Sequence, residues 1–529
     1  MAILIFLVVT YVLFSITMMK LFEKAGEQGW KALVPGLNFI VMCKLVGRSA
    51  AHAVWLLVPI VNIFIFVGLC VDMVRSFGKY EFWHSALAVV FSPAIFYMIG
   101  SNKDSKYLGP TLKAEKEYRE KILEAQKNNN NRELQKLLRQ NPYKKSSSRE
   151  WAEAIIFAVF AAAFIRMFLI EAYTIPTSSM EGSLRVGDFL FVSKAHYGIR
   201  TPQTVMMLPL LHNRVPIVGG ESYISKPNLP FYRLPALTDI KRFDPVVFNY
   251  PEGDSVYVFP ERTWSVHDFR RGAMTPQRFM QVKTGQAQLV VRPIDKKDHY
   301  IKRCIGLPGD SLQIIDHQVY INGSPAKNPT RMQFLYRLQS PSGPLNKDKL
   351  DQIGVNTSES NPQAGYLFLD STQIQKIKEF APDAVIEFLE QPAPSPNQLF
   401  PHDDAHFPGW TVDNFGPVYI PKKGATVNVS PENIALYKRV IAIYEGNDLQ
   451  IKDGKIFING QEATTYTFRM DYYWMMGDNR HNSEDSRVWG FVPHDHIVGK
   501  PLFIWFSTKN GNIFNGVNWS RLFSSANKM

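Results

Sequence analysis

Three short stretches carry the residue types from which a hydrolytic site could be built. The first is Ile175-Pro176-Thr177-Ser178-Ser179-Met180. The second is Tyr300-Ile301-Lys302-Arg303, followed by Gly306-Leu307-Pro308-Gly309-Asp310. The third is Gly477-Asp478-Asn479-Arg480-His481-Asn482-Ser483-Glu484-Asp485-Ser486-Arg487. A serine hydroxyl becomes a useful nucleophile once a base removes its proton. A lysine can be that base only after desolvation has lowered its pKa from about 10.4. The neighbours Ile301, Cys304 and Ile305 suit burial of Lys302. Taken singly, each stretch also has a bland reading. The first is a hydroxyl-rich turn, the second a basic strand end with a tight turn, and the third a polar loop with an internal ion pair.

The elements that must position these residues fall into two materials. Residues 3–19, 53–73 and 83–100 are apolar runs, the last interrupted by Pro93, and each is read as a transmembrane helix. Residues 3–19 lack a basic leader and a small-residue cleavage site, so this run is read as a retained helix and not as a signal peptide. Residues 33–46 are apolar but short and broken by Pro35 and Gly36, which predicts an interfacial segment. Residues 101–149 are rich in Lys, Arg, Glu, Gln and Asn and read as a charged cytoplasmic linker with hints of solvated helix. A fourth span is predicted over residues 151–170, with Arg166 snorkelling to the interface. From residue 171 onward, β-branched and alternating runs at 189–192, 245–249, 255–259, 289–291, 311–315 and 319–321 are separated by turn signals such as Asn322-Gly323. They predict a mainly β outer domain, with a helix or two near 371–380.

In this order, directly after a membrane span, the three stretches resemble the type I signal peptidase family of Ser-Lys serine proteases. The resemblance covers approximately residues 151–211, 242–249, 302–323 and 475–493. It implies a fold of antiparallel sheets and removal of signal peptides after small residues of the A-x-A type. It assigns Ser179 as nucleophile and Lys302 as general base, an accepted variant of triad logic. The Ser179 N–H and the Thr177 hydroxyl would form the oxyanion hole. Ser483 would orient the lysine, Asp485 and Arg487 would stiffen the last loop, and Ile175, Pro176, Leu184 and Ile301 would line shallow substrate pockets. No metal and no cofactor are implied. The partners would be signal-peptide-bearing preproteins and membrane lipid, at a bacterial plasma membrane, with the multi-pass protein's catalytic domain on the extracytoplasmic side. Two departures stand out: Glu181-Gly182-Ser183 where the family usually has a residue followed by Pro-Thr, and His481 where an acid is common.

The expected organisation is a membrane region over residues 1–100, a linker over 101–150, a transmembrane helix over 151–170 and a peptidase domain over 171–515, with a large insertion at about 325–435. A weak repeat relates Lys302-Arg303-Cys304-Ile305…Asn322-Gly323 to Lys438-Arg439-Val440-Ile441…Asn459-Gly460, and it makes Lys438 a rival base. Lys438 lacks the Gly-Leu-Pro-Gly-Asp turn, which favours Lys302. Lys and Arg exceed Asp and Glu by 59 to 47, a formal net charge of +12. No nucleic-acid-binding motif accompanies that charge, so it is read as membrane-related. Cys43, Cys70 and Cys304 are too scattered for a disulfide framework or a zinc site, and Cys304 reads as core. The His402, Asp403, Asp404 and His406 run reads as a polar loop, and the stretch 204–211 as either core or a lipid-dipping segment. Three rival functions fit the sequence less well. A self-cleaving repressor would need a DNA-binding module, an inactive scaffold would not need both Ser179 and Lys302, and a transporter would need intramembrane charge clusters.

Overall fold

The computed structural model describes residues 2–57, 61–145, 147–215, 220–259, 262–341, 343, 345–392 and 398–527. They form two compact units, 1–158 and 159–529.

The first unit is helical: α1 (Ala2–Lys24), α2 (Leu37–Val46), α3 (Val61–Arg75), α4 (Phe82–Ser101), α5 (Thr111–Lys127), α6 (Asn131–Arg139) and the first half of α7 (Ser147–Phe168). Phe14, Met18, Phe22, Met42 and Phe96 make its core, together with Cys43 and Cys70. Two described helices are long and apolar enough to cross a membrane, Phe82–Ser101 and Arg149–Phe168. The first of these is kinked at Phe91, just before Pro93.

The span expected over 53–73 is not one α-helix. Ala50–Leu57 is a 3-10 helix, and α3 has 15 residues, about 22 Å against the ~30 Å of a bilayer core. Residues 58–60 lie outside the described residues. The sequence supplies a proline at 59, which has no N–H for a helix ladder. The charged linker folds as the helical pair α5 and α6, joined where Tyr118 donates to Leu137 O at 2.8 Å.

The second unit is mainly β. Its large sheet contains β1 (Ile170–Thr174), β2 (Asp188–Ser193), β3 (Pro245–Asn249), β4 (His299–Gly306), β5 (Tyr472–Met476), β6 (Val492–Pro493) and β7 (Ile497–Ser507), with β8 (Ser524–Ser525) pairing β7. The spatial order is β1-β2-β7-β3-β4-β5-β6. All five residues of β3 are buried, which is why its sequence is a continuous Pro-Val-Val-Phe run and not an alternating one. Its pairing with β4 sets Val246 opposite Lys302 and Val247 opposite Ile301.

Two lobes project from this sheet. One holds the strands Phe334–Gln339, Tyr366–Leu369 and Val385–Phe388 with helices Lys347–Gln352 and Ser371–Phe380. It has its own small core of Leu338, Leu350, Leu367, Leu369 and Ile377. The second helix starts with a capping box between Asp370 and Gln373. The other lobe pairs Ser255–Val258 with Thr263–Ser265 and Leu289–Val291.

The internal repeat is present as a pair of matching hairpins. Leu312 opposes Ile321 in one, and Leu449 opposes Ile458 in the other. Asn322 accepts from Ser311 N at 2.8 Å, and Asn459 accepts from Asp448 N at 3.0 Å. Their amides donate to Asp310 and Asn447 respectively. The leading segments differ: Lys302 lies on β4, whereas Lys438 lies on the helix Ile434–Arg439 and is exposed.

Candidate active site

Ser179 is in a short 3-10 turn, Ser178–Met180, immediately after β1. The turn projects its side chain toward β4, where Lys302 points to one face and Arg303 to the other, as strand alternation requires. Lys302 Nζ donates to Ser179 Oγ at 2.8 Å and to Ile301 O at 3.1 Å. Thr177 Oγ1 lies 3.5 Å from Ser179 Oγ. Lys302 is only 3% exposed. Burial lowers its pKa from 10.5 to about 8, against the opposing pull of Asp485, Glu484 and Asp478. A poised, partly neutral amine therefore touches a hydroxyl, the arrangement that lets a serine be deprotonated near neutral pH.

On the opposite face, Arg303 makes a two-pronged contact with Asp478, Nε to Oδ1 at 2.7 Å and Nη2 to Oδ2 at 2.6 Å. Ser183 Oγ donates to the same carboxylate. This ties β4 to the loop after β5. Asn479 N donates to Ser179 O at 3.1 Å, which ties that loop to the Ser179 turn. Gly477 makes the approach feasible, because a Cβ there would clash with Ser179 O and Ser483 Oγ.

Asp485 and Arg487 form a fully buried pair, with Nη2 2.8 Å from Oδ2. Burial pushes the Asp485 carboxyl up, but Arg487 outweighs it and holds it below the ordinary carboxylate range. Arg487 also donates to Arg480 O at 2.7 Å, and Asp485 accepts from Gly477 N at 3.1 Å. The pair thus braces both ends of the loop.

Ser483 lines the same cleft as Ser179 and Lys302. Its hydroxyl donates to Glu484 O at 3.4 Å and not to Lys302, whose hydrogen bonds among the described residues go to Ser179 and Ile301. Ile175, Pro176 and Ile301 form cleft walls, together with Tyr173, Leu190 and Val247, which the sequence reading did not single out. Leu184 is placed differently. It is fully buried in the core beneath the cleft, packed with Ile175, Met180 and Val192. Lys438 is not among the residues that line this cleft, and Cys304 is a fully buried core residue whose thiol burial pushes up.

The two departures have local explanations. His481 Nδ1 accepts from Leu335 N at 3.2 Å, which leaves Nε2 to donate to Asp413 Oδ1 at 2.8 Å. Leu335 lies on the strand Phe334–Gln339 and Asp413 well beyond it in the chain, so His481 fastens the loop to two separate segments. Glu181 is 4% exposed and contacts Asn356, in the lobe that holds this strand, at 3.3 Å. Burial raises its pKa to about 7, with Arg185 and Asn356 acting the other way. In the run at 402–406, His406 pairs with Asp403 at 2.8 Å.

Comparison with known proteins fits this arrangement. The model of the family "Signal peptidase, peptidase S26" matches residues 148–374 and 463–506, just over half of the chain. Both Ser179 and Lys302 fall inside the match, and Lys438 falls outside it. Residues 30–110 match a family of unknown function (DUF5684). The chain is 24% identical over 366 residues to Signal peptidase I of Rickettsia massiliae, covering 69% of this chain and 82% of that protein. It is 23% identical over 386 residues to Signal peptidase I of Helicobacter pylori strain 26695, covering 71% and 90%. With the family model spanning both motif-bearing segments around the Ser179 cleft, the chain belongs to the signal peptidase family, peptidase S26, and is a serine peptidase.

Proposed function

We propose that the protein is a membrane-bound endopeptidase that removes N-terminal signal peptides from exported preproteins by a Ser-Lys mechanism. The observation that carries this reading is the 2.8 Å contact between Lys302 Nζ and Ser179 Oγ in an open cleft. Neutral Lys302 takes the Ser179 proton as Oγ attacks the scissile carbonyl carbon. The resulting oxyanion is met by the Ser179 N–H, which lies in the first turn of a short helix and has no partner within it, and by the Thr177 hydroxyl. Collapse expels the new amino terminus, which takes the proton from Lys302. Water, deprotonated by Lys302, then hydrolyses the acyl-serine. Asp485 and Arg487 hold the loop that supports this geometry.

The walls formed by Ile175, Pro176, Ile301 and Tyr173 leave shallow apolar pockets beside Ser179 and favour small side chains, as in A-x-A cleavage sites. A lipid-facing location is supported by α7 and by exposed apolar side chains on the β domain: Met206 and Leu208, each about half exposed, and Phe514 at 94%. The reading places the domain on the extracytoplasmic side of a bacterial plasma membrane, anchored by several helices.

Cleavage of a preprotein bearing an Ala-x-Ala site, by the full chain in detergent, tests this. The expected product begins at the residue after the second alanine, as read by mass spectrometry, and Lys438→Ala retains the parental rate. Cleavage lost in Lys438→Ala, or no cleavage of any preprotein by the folded parent, would sink the proposal.

The pH profile follows from the Lys302 shift. Only the neutral amine accepts a proton, so kcat/KM is expected to rise with pH and level off above about 8. Glu181, close to Ser179 and ionising at about 7, is the competing source of such a limb. Glu181→Gln is expected to leave the limb in place, and its disappearance in that variant would reassign the titrating group.

A further inference from the structure

A second cavity, of about 80 Å³, shares His299 with the Ser179 cleft. One wall is the end of α7, with Ala163, Arg166 and Met167, and another is Met207, Leu210 and Leu211 from the segment after β2. Four cationic side chains line it: Arg166, Lys194, Arg200 and Lys296. Only two carboxylates do, and both are already engaged. Glu171 is shared between Arg166 at 2.7 Å and Lys194 at 2.8 Å, and it also accepts from Tyr173 at 2.6 Å. Asp295 accepts from Thr204 N and Thr204 Oγ1, each at 2.9 Å. Arg200 Nη1 donates to Asn249 Oδ1 at 2.8 Å and to Asp495 O at 3.1 Å.

Lys296 is the exception. It is 3% exposed, yet its ammonium meets only Met207 Sδ at 3.0 Å and the ring of Tyr223 at 5.3 Å. Among the described residues no carboxylate lies within ion-pair distance of it. Burial leaves its pKa lowered, Asp295 and Glu171 act against this only from beyond ion-pair distance and Arg166 acts with it, so the cost of enclosing this cation is not fully offset unless something supplies a closer negative charge. The two cavity histidines, His212 and His299, have ring centroids 4.2 Å apart and planes tilted by 38°, and burial lowers both pKa values, so they are neutral near pH 7 and add donors without charge. The lining therefore carries a surplus of two positive charges around a space that fits one tetrahedral oxyanion.

We propose that this cavity binds a phosphate group, with Lys296 as its counter-ion. The source that fits is the phosphodiester of an anionic phospholipid. The cavity is walled by the last turn of α7, so a phosphate there sits at headgroup depth, and exposed Met206, Leu208 and Leu210 lie beside it to meet acyl chains. The choice of lipid over free phosphate rests on the reading of α7 as a span, whereas the anion site does not.

The full chain in zwitterionic detergent is titrated with short-chain phosphatidylglycerol, short-chain phosphatidylcholine or inorganic phosphate, and the thermal unfolding midpoint is followed. Phosphatidylglycerol is expected to raise the midpoint of the parent and phosphatidylcholine is not. Lys296→Met is expected to weaken that response about five- to ten-fold in apparent affinity, Lys296→Arg to retain it, and the exposed-site control Lys226→Met to leave it unchanged. Basal preprotein cleavage without anionic lipid should persist in Lys296→Met, which separates failure of this site from failure of the peptidase reading. A Lys296-dependent response to inorganic phosphate alone upholds the site and makes free phosphate the source. No response of the parent to either anion, or an undiminished response in a folded Lys296→Met, overturns the proposal.

Discussion

Replacing Lys302 with methionine is expected to lower kcat for preprotein cleavage by about 10⁴-fold and to leave the protein at least as stable as the parent. The two effects come from one cause. Lys302 is buried, and its pKa is lowered from 10.5 in the unfolded chain to about 8. A folded-state pKa below the unfolded one means that folding expels a proton. The penalty is fully present below about pH 8 and disappears as pH rises past the unfolded value. At neutral pH it is of order 3 kcal/mol. Methionine is close in length, carries no charge and removes that penalty, but it cannot accept the Ser179 proton. Ser179→Ala should abolish cleavage to a similar degree, and the double variant should be no worse than either single one, because nucleophile and base act as a unit. Rates measured alongside urea midpoints check this. An active Lys302→Met would remove the lysine from the mechanism.

Asp478→Ala is expected to be the most destabilising single change near the site, by about 3–5 kcal/mol. It strands the guanidinium of Arg303, which is fully buried and held at two points by Asp478. The loss spreads to cleavage, because the same carboxylate joins β4, which carries Lys302, to the loop that holds Ser179 O and to Ser183. The apolar pair Asp478→Leu with Arg303→Met should recover much of the stability, since a buried ion pair offsets little more than its own desolvation. Its cleavage rate should stay depressed, because the positional tie is gone. A double-mutant cycle on the urea midpoint measures the coupling, and a coupling near zero would show that the pair is not what joins the elements.

Much of the site could be read from local signals. The Ser179 turn, the Lys302 strand with its Gly-Leu-Pro-Gly-Asp turn and the Gly477 loop each have a composition that reports their local form. The central strand Pro245–Asn249 and the repeated Asn-Gly hairpins were also legible, because period, turn residues and β-branching are properties of neighbours in sequence. The membrane region was less so. Apolar composition marks residues 53–73, but it does not distinguish one continuous α-helix from the 3-10 segment and 15-residue helix that the described residues form.

Ser179 and Lys302 are 123 residues apart in sequence, and the contact between them depends on how β1, β3 and β4 are placed. Leu184 and Ile175 are equally apolar and share one core cluster, yet packing lets only Ile175 reach the cleft wall. Ser483 has the right type and neighbourhood, but its hydroxyl turns to Glu484 O, a choice of rotamer that no spacing encodes. His481 looked like a missing acid. It is the point where the loop is fastened to Asp413 and Leu335 N. Lys302 and Lys438 head near-identical tetrapeptides, but one is enclosed by a sheet and the other stands on an exposed helix face. Residue types and their spacing were thus enough for the kind of chemistry and the mainly β fold class, because those depend on local pattern. Which serine meets which lysine, how far burial lowers that lysine, and which cations are left without partners depend on desolvation and long-range packing, which exist only once the chain has folded.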